Sequence, residues 1–436
     1  MSGYNMVHFT PIQALGSSGS AYSLSDQLGL NSSFSTPSTP ATMEAVAEVV
    51  EGLRRDWGVL SICDIVLNHT ANNTGWLEEH SDATYNLANS PHLRPAFLLD
   101  RCVKRLAREV GEGRWVEEGV PRGEVSTTAH LEVCRRLLET HYLPRVAIPE
   151  LFLCDVEEQV AALGALVAGA PPSPAPAPGE VVLVQDPAYR RLASTVDLAL
   201  AAAVFNVERE DINQEEERVA ACLEAFRTHL LRLNSLAHAR VMGHLKAALD
   251  NIVSGAAYQH VDPAGPRATR VSVSEEEELV APYFTCPDLA TLEEEVALAW
   301  GDGGRHCMAH NGWVMGDDPL RNFALGDSAV YLRRELVAWG DSVKLRYGER
   351  PEDSPFLWSY MERYVTATAG LFDGVRLDNC HSTPLHVAAH MLDAARRVRP
   401  NLYVSAELFT GSEEKDNVFV NRLGITSLIR WVRRHC

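Results

Sequence analysis

Near its C-terminal end the chain reads as strand, helix, strand with almost no slack. Residues 372–377 are mostly apolar, 383–397 carry helical periodicity, and 402–407 are mostly apolar again. Pro384 stands at the start of the helix, where its missing N–H costs nothing, and Pro400 stops the chain after it. The same grammar occurs near the N-terminus. Residues 4–10 form a strand candidate ending at Pro11, 42–56 a helix through Val46, Val49, Val50 and Leu53, and 59–67 a near-continuous apolar run closing on Asn68-His69. Strands joined by a helical crossover run parallel, and parallel strands buried on both faces read as such runs. An α/β fold on a parallel sheet is predicted.

About three hundred residues separate His69 from Leu371, far more than the dozen or so that one crossover requires. A large, mostly helical insertion is the expectation for 72–370, with barrel segments at 1–71 and 371–430 and a divergent tail at 431–436. Helices are predicted at 95–109, 128–140, 155–167, 215–251, 292–300 and 330–343. Residues 168–180, which alternate Pro with Ala and Ser, read as a low-complexity linker.

The formal net charge of −19 argues against a nucleic-acid partner, because phosphate binding needs a basic footprint. Nine cysteines form no Cys-x-x-Cys pair and no zinc-type spacing. No basic region followed by an apolar core opens the chain, and no run reaches the roughly 18 apolar residues of a membrane span. The expectation is a soluble cytoplasmic protein with reduced thiols, no metal, no cofactor and no membrane partner.

Three clusters carry chemistry, each at a predicted strand end. In 374–378, Arg376 and Asp378 are two apart and so point the same way, which lets the guanidinium favour an ionised carboxylate. From spacing alone, a structural Arg/Asp pair remains the alternative. Glu407 occupies the matching place one unit later, after the small residues Ser405 and Ala406. Adjacent strands lie about 4.8 Å apart, so two such carboxyls can approach the roughly 5–5.5 Å separation of retaining glycoside chemistry. Asp64, Asn68 and His69 offer donors and acceptors suited to sugar hydroxyls; as a metal cage they are poor. The adjacent acids Asp317 and Asp318 read as a structural turn.

Taken together, Asp64-x-x-x-Asn68-His69, Gly374-x-Arg376-x-Asp378 and Glu407 resemble the first three signature regions of the α-amylase superfamily. The wording of 4–11, 309–320, 339–348 and 376–384 is similar to the eukaryotic glycogen debranching enzymes, in their 4-α-glucanotransferase half, and the similarity spans 3–430. The resemblance implies a partial (β/α)8 TIM barrel with the insertion between its third and fourth strands. It implies a retaining transfer of maltotriosyl-type segments between α-1,4-glucan chains, with glycogen and maltooligosaccharides as substrates. By the same resemblance Asp378 is the nucleophile and Glu407 the acid/base. Arg376 positions the nucleophile, Asp64, Asn68 and His69 hold the sugar, and His310 and Asn311 are glucan contacts. By analogy the second to fifth barrel strands are placed; the first, the sixth to eighth, the superfamily's third acid and the α-1,6-glucosidase domain are not found. A fragment is therefore expected, and a non-catalytic glucan-binding or inert chain and a plain α-glucan hydrolase stand as alternatives.

Overall fold

The computed structural model describes residues 3–186, 192–209, 212, 214–266, 272–315 and 318–430; Asp317 and the tail at 431–436 lie outside them. The chain opens with β1 (Met6–Phe9), β2 (Gln13–Leu15), β3 (Leu24–Leu30), α1 (Met43–Trp57), β4 (Leu60–Ile65) and β5 (His69–Ala71). Its middle contributes α2 (Arg94–Glu112), α3 (Thr128–Leu137), α4 (Leu143–Val146), α5 (Val156–Val167), β6 (Val184–Gln185), β7 (Ala193–Thr195), α6 (Leu198–Phe205) and α7 (Glu215–Ala256). Then come α8 (Leu292–Trp300), β8 (His310–Val314), α9 (Val330–Arg333), β9 (Leu336–Lys344) and α10 (Pro355–Leu371). The last elements are β10 (Gly374–Leu377), α11 (Leu385–Val398), β11 (Tyr403–Glu407), α12 (Glu413–Leu423) and β12 (Ser427–Ile429).

Two compact units result. One holds Met1–Ser90, Ala281–Tyr331 and Glu335–Cys436; the other holds Pro91–Val280 and Leu332–Arg334. In the first, a five-stranded sheet runs β1-β4-β10-β11-β12 with every pair parallel. This is a curled parallel half-barrel. Helices α10, α11 and α12 cover it, and the core between them gathers Ile65, Tyr364, Val375, Leu377, Met391, Val404, Ala406 and Phe419. Capping sets the helix ends. The Thr42 side chain accepts from Ala45 N–H ahead of α1, and Gly58 ends that helix at φ 62°, a left-handed position that costs glycine little. Strands β4 and β10 are direct neighbours, although residues 66–373 lie between them in sequence.

A second, antiparallel sheet of order β5-β9-β8 belongs to the same unit. It corrects the expected helix at 330–343: α9 covers only Val330–Arg333, and β9 begins at Leu336. The apolar spacing of that stretch fits a helix, but Val337, Trp339 and Val343 are good strand formers, and pairing to both β5 and β8 decides the outcome. A further correction concerns β12, a parallel strand beside β11 where no sixth strand was found from sequence. Three residues are too few to show a period.

The other unit is mainly helical. The long α7 packs against α5 and α6, and Phe226, Leu230 and Leu163 lie in its core. Within it the Pro-rich stretch is tied down, with Ser173 N–H donating to the Asn206 carbonyl and Ala177 N–H to that of Ala203. Among the described residues no helix is long and apolar enough to cross a membrane.

Candidate active site

Strand β10 is buried along its whole length, and its first residue has to be glycine. A Cβ on Gly374 would run into the Tyr403 carbonyl oxygen and stand 2.8 Å from Ile62 Cγ2. Close approach of three strands here brings their C-terminal ends together. The register pairs Arg376 with Asp64 on one side and with Ser405 on the other, and Leu377 with Ala406. Asp64, Arg376, Asp378 and Glu407 therefore emerge from three adjacent strands at one end of the sheet, where parallel α/β folds carry their ligands.

Arg376 is the hub. One guanidinium nitrogen, Nη1, lies 3.0 Å from Asp64 Oδ1 and 3.6 Å from Asp378 Oδ1; the other, Nη2, lies 3.4 Å from Glu407 Oε2. Burial works against its charge, but Asp64, then Glu407 and Asp378, outweigh it, and its pKa is held above the usual value. Asp64 is fully buried and also takes a hydrogen bond from His8 Nε2 at 2.9 Å. It thus sits behind Arg376 as an anchor.

Directly after Asp378 the backbone turns through Asn379 at φ 46°, a left-handed conformation that asparagine tolerates better than most residues. The turn aims two donors back into the site. Asn379 N–H reaches Glu407 Oε2 at 3.0 Å, and its side-chain amide reaches Asp378 Oδ2 at 2.9 Å. Burial first, and the Glu407 carboxylate second, push Asp378 up to about 7, against the pull of Asn379 and Arg376. Arg376 favours the ionised form of Asp378, as expected, but desolvation of a nearly buried carboxyl next to another acid is the stronger effect. Side-chain exposure separates the two acids, at 5% for Asp378 and 19% for Glu407, so Glu407 is the member that solvent reaches.

His69 opens β5 just beyond β4 and is buried. Its Nδ1 lies 2.8 Å from Asn68 Oδ1 and its Nε2 lies 3.0 Å from the Tyr22 carbonyl oxygen, while Trp339 meets its ring edge-on at 5.6 Å. Burial lowers His69 to about 4, so the ring is neutral at neutral pH. Tyr22 stands nearby with its phenol pushed up to about 12, by burial first and then by Asp64. His310 and Asn311 lie on β8; His310 Nδ1 is 2.9 Å from the Pro282 carbonyl oxygen, and neither polar atom of the buried Asn311 amide has a partner among the described residues. Sequence reasoning missed His8, Tyr22 and Asn379. Of these only Asn379 carried a local signal, an asparagine directly after a strand-end acid.

Among the described residues no group of three or more His, Cys, Asp or Glu side chains is arranged to hold a metal ion. The constellation is a buried and a half-buried carboxyl at neighbouring strand ends, a shared arginine fork and backbone and amide donors. The family model for the glycogen debranching enzyme glucanotransferase domain matches residues 1–403, ending inside the strand that carries Glu407. The chain belongs to this family. It is also similar to a glycogen debranching enzyme of Saccharomyces cerevisiae, with 36% identity over 445 aligned positions that cover 98% of this chain. The chain spans 27% of the length of that relative.

Proposed function

We propose that this glycogen debranching enzyme family chain performs 4-α-glucanotransfer, moving a maltotriosyl-type segment from one α-1,4-glucan chain to another with retention at the anomeric carbon. One observation carries the reading: Asp378 and Glu407 share the Arg376 fork, at 3.6 and 3.4 Å, on adjacent strand ends. Asp378 Oδ attacks the anomeric carbon, the bond to the leaving O4 breaks, and Glu407 delivers a proton to that oxygen. A covalent glycosyl ester on Asp378 results. The 4-hydroxyl of an acceptor glucan then gives its proton to Glu407 and attacks the same carbon, releasing Asp378; two inversions amount to retention. The greater exposure of Glu407 suits the group that must give and recover a proton.

In the same proposal Arg376 positions both acids and Asp64 anchors Arg376. His69, with Asn68 behind it, contacts the sugar at the reacting subsite, and His310 and Asn311 contact the glucan further along. Glycogen and maltooligosaccharides are the substrates. The parallel sheet is read as part of a (β/α)8 barrel with residues 72–370 inserted between its third and fourth strands, a reading supported by the direct pairing of β4 with β10. A cytoplasmic setting belongs to the proposal too, supported by the free thiols of Cys63, Cys134, Cys222 and Cys380.

Incubation with maltopentaose tests the reading. Transfer yields both longer and shorter oligosaccharides. Release of reducing ends without longer products would replace transfer by hydrolysis, and no turnover with retained glucan binding would leave a binding chain.

A further inference from the structure

The middle of α7 is exposed over most of its circumference. Between Leu231 and Lys246 a single row of side chains spaced four apart, Leu233, Ala237, Val241 and Leu245, is buried in the helical unit. The opposite side faces solvent and carries large apolar groups: Leu231 is 55% exposed, Leu236 57% and Met242 45%. On that side Ser235, Ala239 and Gly243 follow one another at the same spacing, all exposed. Side chains four apart on a helix form a ridge, so a row of small residues leaves a shallow groove between its neighbours. Arg232, Leu236 and Arg240 make one wall of it; His238, Met242 and Lys246 make the other. Each wall sets an apolar residue between two nitrogen-bearing ones.

The sequence keeps this face positive. Residues 225–249 hold no Asp or Glu, in a chain of formal net charge −19. Arg232 lies 3.9 Å from Glu180, at the outer limit of an ion pair, and Arg240 and Lys246 make no ion pair among the described residues. Gly243 stands in the interior of a 42-residue helix, where glycine is a poor helix former. A Cβ there would meet nothing within 4 Å among the described residues. Packing inside the chain therefore does not call for the missing side chain, whereas close approach by another molecule does.

We propose that this groove of α7 is a docking site for an acidic amphipathic helix of another protein. The apolar ridge of that helix seats on Ser235, Ala239 and Gly243, and its carboxylates meet Arg232, Arg240 and Lys246. Packing of this class crosses two helices at roughly 50°, with axes about 8 Å apart where the contact residues are small. The charge pattern selects the occupant. Antiparallel pairing with a second copy across Ala239 would set Arg232 against Lys246 and Arg240 against His238, and parallel pairing would set each cation against itself. An anionic lipid surface answers the cations but is flat, and it leaves the groove unfilled. None of this depends on the glucan chemistry above.

The test measures binding of a labelled helical peptide of about 20 residues to the 436-residue chain by fluorescence anisotropy. The peptide carries leucine and alanine along one face and glutamate on both sides of it, and a twin carries lysine in place of glutamate. The acidic peptide binds about tenfold or more tightly than its twin, and its affinity falls as salt is raised. Arg232→Glu combined with Arg240→Glu weakens it about tenfold or more. Gly243→Leu fills the groove and weakens it to a similar extent, while the melting temperature holds or rises because leucine favours a helix. No binding, equal binding of the two peptides, or full affinity in Gly243→Leu overturns the proposal. So does a loss of affinity that only accompanies a fall in melting temperature in both variants. Dimers in sedimentation that Gly243→Leu abolishes, with no peptide bound, would give the face to a second copy. Binding to phosphatidylserine vesicles that the arginine variant loses and Gly243→Leu keeps, again with no peptide bound, would give it to lipid; either result overturns the proposal.

Discussion

Arg376 and Asp64 are register partners on neighbouring parallel strands, and their side chains meet at 3.0 Å directly above that pairing. Sheet geometry and ion-pair geometry thus specify the same contact. The arginine comes to the carboxyl pair with one nitrogen already committed to an anchor that is itself fully buried.

Arg376→Met leaves Asp64, Asp378 and Glu407 without their common counter-charge. Breaking one partner out of a buried ion pair costs about 3–5 kcal/mol, and loss on that scale is expected in urea unfolding at neutral pH. Arg376→Lys keeps a charge but cannot span Asp64 and Glu407 with two nitrogens. It should retain more stability than the methionine variant while losing most transfer activity.

The pH dependence follows from Asp378. Its folded pKa of about 7 is above the ordinary carboxyl value, so the folded chain binds this proton more tightly than the unfolded chain does. The associated stability is present in full below the unfolded carboxyl value and is lost as pH rises through about 7. Asp378 attacks as the carboxylate, so kcat/KM should fall on the acid side as pH drops through about 7. Asp378→Asn should flatten the stability profile in that window, as read by thermal unfolding across pH.

Asn379 separates backbone from side chain. Asn379→Ala forces a Cβ-bearing residue without a local hydrogen bond to hold φ 46°, at a cost of about 1–2 kcal/mol. Asn379→Gly relieves the backbone. Both lose the amide that pulls Asp378 down, so in both the acid limb of activity should move to higher pH, while only the alanine variant loses marked stability.

Gly374→Ala introduces a methyl group where three strands close on one another. The carbonyl of Tyr403 is backbone and cannot move aside without parting β10 from β11. A lower melting temperature and loss of transfer are expected together, with little change in helix content by circular dichroism.

The elements legible in the sequence are those whose signal is local and long. The apolar strands β4, β10 and β11 announce themselves, and the helices α2, α5, α7 and α8 follow their apolar periodicity and caps, such as Asp155 ahead of α5 and the Thr291–Glu294 capping box of α8. The strand β9 was illegible because its partners, β5 and β8, are set by distant pairing. Helix α10 went unrecognised although it supplies Tyr364, Met361 and Val365 to the core; its aromatic and threonine content weakens any helical reading. In the site, Asp378, Glu407, Arg376 and Asp64 were all named from strand-end position and family wording. His8 was not, because its hydrogen bond to Asp64 spans 56 residues and nothing near His8 points to it.

Trapping the covalent intermediate tests the central claim most directly. With Glu407→Gln and a maltotriosyl donor whose leaving group needs no proton, the ester should form and then persist, since activation of the acceptor is lost. Peptide mass spectrometry should find a maltotriosyl adduct on Asp378. An adduct on another residue, or products of inverted anomeric configuration with no adduct, would contradict the assignment.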